Sequence, residues 1–329
     1  MEGLVFRKRC LKMKTIYFVI PCYNEEDVLE VTAAKLLEKV SGLINNQLIS
    51  SKSRITFIDD GSKDMTWNLI EQLASTHQLI SGVKLSRNRG HQNALLAGLM
   101  TVKDLCDATI SLDADLQDDI DVIDQFIEKF EFEGCDVVYG VRSDRATDTG
   151  FKRHTAQAFY KMMHLMGADI IYNHADYRLL SSRALTGLAE FKEVNLFLRG
   201  LVPLVGYKSD VVYYERHERF AGESKYPLKK MLAFAIEGIT SLSIKPIRLV
   251  TTLGAFVCLL SLIPLFYSLI QWLNGNTIQG WTTLILSIWT LGGIQILCIG
   301  VIGEYIGKIY LETKNRPRFT IEAFLNDEK

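Results

Sequence analysis

The sequence has no glycine-rich loop of the kinds that bind phosphate through backbone amides. Neither G-x-G-x-x-G, the signature of a dinucleotide-binding fold, nor the G-x-x-x-x-G-K-[ST] pattern of a P-loop occurs in its 329 residues. The charge of a phosphorylated ligand must therefore be offset by a metal ion and by Arg or Lys side chains.

An excess of charge of one sign and closely spaced cysteines are also absent. The formal net charge is −1, which gives no indication of nucleic-acid binding. The six cysteines form no C-x-x-C pair and are typical of reduced thiols. No apolar core of a signal peptide precedes the first strand, so residues 1–14 are interpreted as an N-terminal extension, with either Met1 or Met13 as the true start.

Charged residues are missing altogether from Leu249 to Gly303, although 23% of the whole chain is charged. This run contains two apolar segments, 249–273 and 281–303, on either side of a polar turn. Each segment is long enough to cross a hydrocarbon core about 30 Å thick as a helix. We therefore expect two transmembrane helices within residues 247–306, and a buried hairpin in a soluble core is the alternative.

The distribution of Lys and Arg around this hairpin predicts its orientation. Basic residues flank both of its ends, whereas the turn carries no charge. By the positive-inside rule, both termini and the whole region before the hairpin lie in the cytoplasm. The sequence thus predicts a multi-pass protein of the cytoplasmic membrane.

The first part of the chain alternates between strand-like and helix-like patterns. Apolar runs such as TIYFVIP, RITFID and ATISL are separated by segments with the apolar period of a helix. This alternation predicts an α/β domain with a mostly parallel sheet, which we assign to residues 15–218. Ligands of such sheets bind at the carboxyl ends of the strands, so the residues that end each strand are the most informative.

Two aspartates, Asp113 and Asp115, directly follow the predicted strand ATISL. Acidic residues at a helix start complement the helix dipole, which would explain Asp118, Asp119 and Asp121 but not the first pair. Like charges held this close repel each other unless a cation lies between them. The pair therefore predicts a site for a hard divalent cation, Mg²⁺ or Mn²⁺.

Several segments, in order, resemble the family 2 glycosyltransferases, which have the GT-A fold. VIPCYNEE, FIDDGSKDMT, LSRNRGHQNALLAG and SLDADLQDD are similar to the nucleotide-binding loops and the DxD metal motif of that family. NHADYRLLSSRAL, RFAGESKYPLKK and the C-terminal hairpin resemble its polyprenyl-phosphate group, the bactoprenol glucosyltransferases and dolichol-phosphate mannosyltransferases. The Q-x-x-R-W motif of processive polysaccharide synthases is absent, which disfavours a polymerising relative.

The resemblance implies a site for a UDP-sugar donor. Asp113 would bind the nucleotide-sugar and hold the metal ion together with Asp115, with Gln117 beside the metal. Asp60 would contact the base. The remaining donor-binding residues would be Pro21, Tyr23, Asn24, Glu25 and Arg87.

Some of these residues also have a purely structural interpretation. Asn24 and Glu25 are compatible with the start of a helix, and Asp60 with an ordinary turn. Arg87 and the nearby His91 are compatible with a solvated helix start, although cations there oppose the helix dipole and favour a phosphate partner.

The resemblance assigns the acceptor side to Asp176, Arg219, Ser224 and Lys225. Asp176 corresponds to the family's candidate base, but a phosphate monoester has a second pKa of about 6 and hardly needs deprotonation. We therefore expect Asp176 to be an orienting group or a base of modest importance, and a helix cap or a salt bridge to Arg178 is the structural alternative. Arg219, Ser224 and Lys225 would bind the acceptor phosphate, with Arg219 and Lys225 as catalytic cations.

Residues 219–246 mix basic residues with an apolar helical stripe. This pattern predicts an active-site loop followed by an amphipathic helix on the inner membrane surface, and a core helix is the alternative. Residues 307–329 are assigned to a cytoplasmic tail.

These features predict a membrane-anchored, inverting glycosyltransferase. It would transfer a sugar from a UDP-sugar to polyprenyl phosphate for cell-envelope glycosylation, with glucose as the first choice and N-acetylglucosamine left open. A nucleotidyltransferase and a non-enzymatic UDP-sugar sensor are the alternatives. The resemblance also implies a homo-oligomer, a tetramer, and the partnership of a flippase and a downstream glycosyltransferase.

Overall fold

The computed structural model describes residues 13–115, 117–143, 174–215, 239–240, 243, 245–274 and 280–326. These residues belong to two compact units. The sheet unit contains the described residues up to 215 together with 317–326, and the helical unit contains those from 239 to 316. Arg219, Ser224 and Lys225, together with most of the predicted amphipathic segment, lie outside the described residues.

The strands of the sheet unit form one sheet. Their bounds are β1 Ile16–Cys22, β2 Arg54–Asp59, β3 Ile80–Leu85, β4 Ala108–Ser111, β5 Val137–Arg142, β6 His174–Ser181, β7 Ser209–Tyr214 and β8 Ile321–Leu325. The order across the sheet is β7-β5-β6-β4-β1-β2-β3-β8. The neighbours β4-β1-β2-β3 are all parallel, as is the β5-β7 pair, whereas β6 and β8 run antiparallel to their neighbours. The predicted mostly parallel α/β sheet is confirmed.

Helices cover both faces of this sheet and bury a separate core on each. Their bounds are α1 Leu29–Asn45, α2 Thr66–Thr76, α3 His91–Val102, α4 Ile123–Glu131, α5 Ser182–Ala189 and α6 Leu198–Leu204. Alternate residues of β1 point to opposite faces, as the pleat of a strand requires. Phe18 and Ile20 pack in the core with α1, α2 and α4, whereas Tyr17 and Val19 pack in the core with α3, α5 and α6. Parallel strands buried on both faces explain the continuous apolar runs in the sequence.

The helical unit contains two long helices, α7 Lys245–Leu273 and α8 Trp281–Lys314. They coincide closely with the two predicted apolar segments, although α8 continues well past residue 303. Within the described part of the chain, one segment, Thr290–Lys314, is long and apolar enough to cross a membrane, with a mean hydropathy of 1.5. Large apolar side chains are exposed along both helices, among them Leu259, Ile263, Ile296 and Ile299. An exposed apolar surface of this extent is typical of contact with a membrane or with another protein.

The chain returns to the sheet unit after α8. The segment assigned from the sequence to a tail contains β8, which pairs antiparallel with β3 and covers that edge of the sheet. The amide of Ser86 donates to the carbonyl of Thr320 at 3.0 Å, and Lys84 pairs with Glu322 at 2.9 Å. Arg318 donates to backbone carbonyls of the segment between α5 and α6. The pattern IEAFL was not predicted as a strand because it is short and mostly exposed.

Two helical glycines, Gly98 and Gly42, differ in the space around them. Replacing each by alanine should therefore change the free energy of unfolding in opposite directions. A Cβ at Gly98 in α3 would lie 2.6 Å from side-chain atoms of Ile58 and Val19, whereas a Cβ at Gly42 in α1 would meet nothing within 4 Å. Gly98→Ala should therefore lower the free energy of unfolding by about 1–3 kcal/mol through overpacking. Gly42→Ala should raise it by about 0.5–1 kcal/mol through helix propensity. Thermal unfolding of the full-length protein in detergent measures both, and shifts of the same sign would contradict the packing described for α3.

Candidate active site at the carboxyl ends of the parallel strands

The loops that follow β1 and β2 are joined by hydrogen bonds. The Asn24 amide donates to the Ser62 hydroxyl at 3.0 Å, and the Asn24 side-chain oxygen accepts from the Lys63 amide at 2.9 Å. The Glu25 amide donates to the hydroxyl of Thr66 at 2.9 Å. Asn24 has a φ of 52°, in the left-handed region that Asn adopts more readily than most residues. Both predicted donor-site residues thus hold two site loops together.

The other predicted residues around β1 differ in exposure. Pro21 is buried within β1 opposite Ile58 of β2, so it supports the loop from inside. Tyr23 follows the strand and is 41% exposed, which leaves its ring accessible to a stacking partner. Arg87, in the loop after β3, is exposed.

Asp60 connects the loop after β2 to the loop after β3. Its carboxylate is buried, and its two oxygens accept from the amides of Arg89 at 2.7 Å and Gly90 at 2.9 Å. Burial raises the pKa of Asp60, and these two hydrogen bonds partly oppose that rise. Gly61 next to it has a φ of 68°, and a Cβ there would lie 2.6 Å from the backbone of Arg87. The close approach of the two loops therefore requires glycine at this position.

The two aspartates of the DxD motif follow β4 and lie at the same edge of the sheet. The Asp113 side chain is 34% exposed, and burial raises its pKa to about 6 although His91 opposes the rise. An oxygen of Asp115 accepts from the amide of Gln117 at 3.2 Å, and Gln117 itself is buried. Carboxylate oxygens are the ligands that Mg²⁺ and Mn²⁺ prefer, and a divalent charge would reverse the rise in the pKa of Asp113. The residues therefore fit the predicted metal.

The acidic residues that come next have structural partners. An oxygen of the buried Asp118 accepts from Arg142 at 3.3 Å and from the hydroxyl of Tyr214 at 2.5 Å. The Asp119 side chain accepts from the amide of Asp121 at 2.8 Å and caps a short 3-10 helix. The helix-cap interpretation is thus right for Asp119 and wrong for Asp118. The negative charge of Asp118 is balanced by Arg142, the last residue of β5.

Asp176 in β6 is a buried carboxylate with two arginine partners. Arg178 contacts one of its oxygens at 2.5 Å, and Arg199 contacts the other at 3.1 Å. Burial alone would raise the pKa of Asp176, but Arg199, His91 and Arg178 outweigh burial and hold the pKa well below its usual range. The salt bridge to Arg178 that the sequence offered as an alternative is confirmed. A carboxylate with a lowered pKa binds a proton poorly, which favours the orienting role over the base.

His91 links Asp176 to the DxD motif. It is the first residue of α3, and its Nε2 lies 3.6 Å from an oxygen of Asp113 and 3.7 Å from an oxygen of Asp176. Burial lowers the pKa of His91, but the two carboxylates outweigh it and raise the pKa overall. His91 is therefore a half-exposed residue at a helix start, as interpreted from the sequence, and in addition it contacts both acidic positions.

Sequence reasoning missed Arg199. It lies in α6, 23 positions after Asp176 in the chain, and only the fold brings the two together. A signal was present, because Arg199 is the one charged residue in the apolar segment 194–207. A charge in such a segment is usually paired or functional.

A different acidic group lies at the opposite end of the sheet. Among the described residues, the ligand atoms of Glu133, Cys135 and Asp210 lie within 4.8 Å of one another, at the amino ends of β5 and β7. Lys129 forms salt bridges with both Glu133 and Asp210. Since a lysine already supplies the positive charge there, this group does not belong to the predicted metal site.

The site lies within a segment that matches a known family. Residues 17–188, more than half of the chain, match the profile of Glycosyl transferase family 2, and residues 245–309 match that of the GtrB C-terminal hairpin. These matches agree with the strand-end loops and with the two long helices.

Relatives and a solved structure are similar to the chain over most of its length. The Bacillus subtilis (strain 168) protein described as an uncharacterized glycosyltransferase, YkoT, is 53% identical over 94% of this chain and 92% of its own length. The bactoprenol glucosyl transferase of Shigella phage SfX is 41% identical over 94% of this chain and 99% of its own length. Glucosyl-3-phosphoglycerate synthase from Mycobacterium tuberculosis, crystallised with Mn²⁺, UDP-glucose and phosphoglyceric acid, shares 17% identity over 70% of this chain and 78% of its own. Its TM-score of 0.43 is too low to bear on the function.

The family match covers the loops that carry the DxD motif, the Asn24 and Asp60 hydrogen bonds and Asp176. The hairpin match covers α7 and most of α8. The chain belongs to glycosyltransferase family 2, and it is a glycosyltransferase with a C-terminal hairpin of the GtrB type.

Proposed function

We propose that this enzyme transfers glucose from UDP-glucose to a polyprenyl phosphate at the cytoplasmic face of the membrane, with inversion at the anomeric carbon. The observation that carries the proposal is the 41% identity with the bactoprenol glucosyl transferase of Shigella phage SfX, which extends over 94% of this chain. Similarity of this extent includes the hairpin as well as the sheet unit, and so supports a lipid acceptor in addition to a sugar donor.

The donor would bind along the loops joined by Asn24 and Asp60. The exposed ring of Tyr23 offers a surface for the base, and Arg87 a charge for the diphosphate. Asp113 and Asp115 would hold the divalent cation, with Gln117 beside it. When bound, the cation offsets the negative charge that develops on the leaving UDP.

The transfer itself would need little proton chemistry from the protein. A phosphate oxygen of the acceptor attacks C1 of glucose, the C1–O bond to UDP breaks, and the bonding electrons leave with UDP. The acceptor phosphate is already largely ionised near neutral pH, so no proton has to be removed from it. Asp176, with its depressed pKa, would orient its neighbours. Arg219, Ser224 and Lys225 remain the proposed ligands of the acceptor phosphate on the strength of the family resemblance.

The pairing of β8 with β3 supports a topology with an even number of membrane crossings. The two strands belong to one sheet, so residues 80–85 and 321–325 must lie on the same side of a membrane. A single crossing between them would separate the strands. Crossings by both α7 and α8 satisfy this constraint, and the positive-inside rule then assigns the sheet unit to the cytoplasm.

Asp115→Ala should weaken Mn²⁺-dependent binding of UDP by about tenfold or more, because a hard cation loses a carboxylate ligand. Asp121→Ala is the matched control, since Asp121 lies in the same stretch and its side chain is 87% exposed. Isothermal titration calorimetry of the full-length variants in detergent measures the effect. Equal affinities in the wild type and Asp115→Ala would contradict the metal assignment.

The purified enzyme with UDP-glucose and undecaprenyl phosphate should form glucosyl phospholipid and UDP in equal amounts. Mass spectrometry of the extracted lipid identifies the first product, and chromatography the second. Parallel reactions with UDP-N-acetylglucosamine should show a lower kcat/KM. Release of pyrophosphate would instead indicate a nucleotidyltransferase. The absence of turnover with any lipid phosphate would favour the remaining alternative, a non-enzymatic UDP-sugar sensor.

A cysteine at position 276, in the uncharged turn, should react with a membrane-impermeant maleimide in intact cells. Asn326→Cys, after β8, is the matched control and should react only after the cells are lysed. Both substitutions are made in a background whose native cysteines are replaced by serine. Labelling at position 326 but not at 276 in intact cells would reverse the proposed orientation.

A further inference from the structure

The loop after β3, residues 86–90, is bound to another loop of the candidate site. Its amides at Arg89 and Gly90 donate to the two carboxylate oxygens of Asp60, at 2.7 Å and 2.9 Å. The same loop carries Arg87, the proposed contact for the donor diphosphate. A displacement of this loop would therefore disturb the proposed donor site at two points.

The segment that follows α8 fixes the start of this loop. The Ser86 amide donates to the carbonyl of Thr320 at 3.0 Å, directly before β8. The register of the β3-β8 pair shifts between Lys84 and Leu85, and Leu85, the last residue of β3, still lies opposite Ile321. The pairing thus reaches the point at which the loop begins. Since β2 lies on the other side of β3, β8 supplies the partner for the outer edge of that strand.

Side chains near both ends of this segment, residues 317–325, hold it on the sheet unit. The Arg318 guanidinium donates to the backbone carbonyls of Phe191 at 3.2 Å and Glu193 at 3.3 Å. At the other end, Leu325 packs against the core that lies under α1 and α2. None of these residues is assigned to the donor or acceptor site. The anchors can therefore be removed without changing a side chain that would contact a substrate.

We propose that residues 317–325 are a positioning element of the donor site, an inference that rests on the proposed function. Thr320 would fix one end of the loop after β3, and Asp60 the other. A loop that is already ordered loses less conformational freedom when a ligand binds, so it binds the ligand more tightly. Because the segment follows both long helices in the chain, the donor site is complete only when the chain has returned from the hairpin to the sheet unit.

An anchor variant that combines Arg318→Gln with Leu325→Ala tests whether the segment fixes the loop. Amide hydrogen exchange of residues 86–90 in the ligand-free, full-length protein in detergent should become about tenfold faster, because the loop opens each time β8 detaches. Exchange in α4, which packs on β5 and β6, should stay at the wild-type rate. Mass spectrometry of the corresponding peptides measures both. Arg318→Gln alone should accelerate exchange of the loop about threefold, the effect of losing a hydrogen bond, and it serves if the double variant does not fold.

The matched control combines Arg316→Gln with Leu204→Ala. Arg316 is exposed and lies just before the segment, and Leu204 is 60% exposed at the end of α6. Exchange of residues 86–90 in this control should equal that of the wild type. Unchanged exchange of the loop in the anchor variant would overturn the proposal. Equal acceleration in α4 would also overturn it, because the effect would then be a general loss of stability.

Donor affinity shows whether the position of the loop serves the enzyme. The anchor variant should bind UDP in the presence of Mn²⁺ about tenfold more weakly than the control, matching the tenfold rise in loop opening. Its KM for UDP-glucose should rise, while its KM for polyprenyl phosphate stays close to the wild-type value. Faster exchange with unchanged UDP affinity would overturn the positioning role.

The exchange measurement needs no ligand, so it separates the failure of this inference from the failure of the proposed function. If the wild type binds no UDP, the proposed function fails. Faster exchange of residues 86–90 in the anchor variant would then still support the role of the segment in fixing the loop. Unchanged exchange would overturn that role as well.

Discussion

Repulsion among carboxylates at one edge of the sheet is the constraint on which this site depends. Asp113, Asp115, Asp118 and Asp176 all lie near the carboxyl end of β4. Arg142 balances Asp118, and Arg178 with Arg199 balances Asp176. At the DxD pair, burial raises the pKa of Asp113 to about 6, although His91 opposes the rise. The carboxylates with arginine partners thus hold the structure, and we propose the DxD pair as the ligands of a divalent cation.

The pairing of β4 with β6 brings the two kinds of carboxylate together. Ser111 at the end of β4 lies opposite Arg178 of β6, and its hydroxyl donates to the backbone carbonyl of Asp176 at 2.6 Å. The antiparallel direction of β6 means that its early residues meet the residues that follow β4. The two acidic positions therefore lie at one edge of the sheet, and His91 contacts both of them.

Local sequence patterns were enough to predict the sheet, the strand-end loops and the two long helices. Each of these depends on periodicity or on neighbouring residues, as with the DxD pair after ATISL. The pairing of β8 with β3 could not be predicted in this way, because a short and half-exposed strand carries little periodic signal. The contact between Arg199 and Asp176 depends on how α6 packs beside β6, which no local pattern encodes. The hydrogen bonds of Asp60 were missed for the same reason, since their partners lie in the loop after β3.

Electron paramagnetic resonance of Mn²⁺ in the full-length protein tests most directly whether the DxD carboxylates bind a divalent cation together with the sugar donor. The account predicts that Mn²⁺ binds more tightly when UDP-glucose is present, and that its signal shows hyperfine coupling to the phosphorus atoms of the diphosphate. Mn²⁺ binding that is indifferent to UDP-glucose and free of phosphorus coupling would contradict the account.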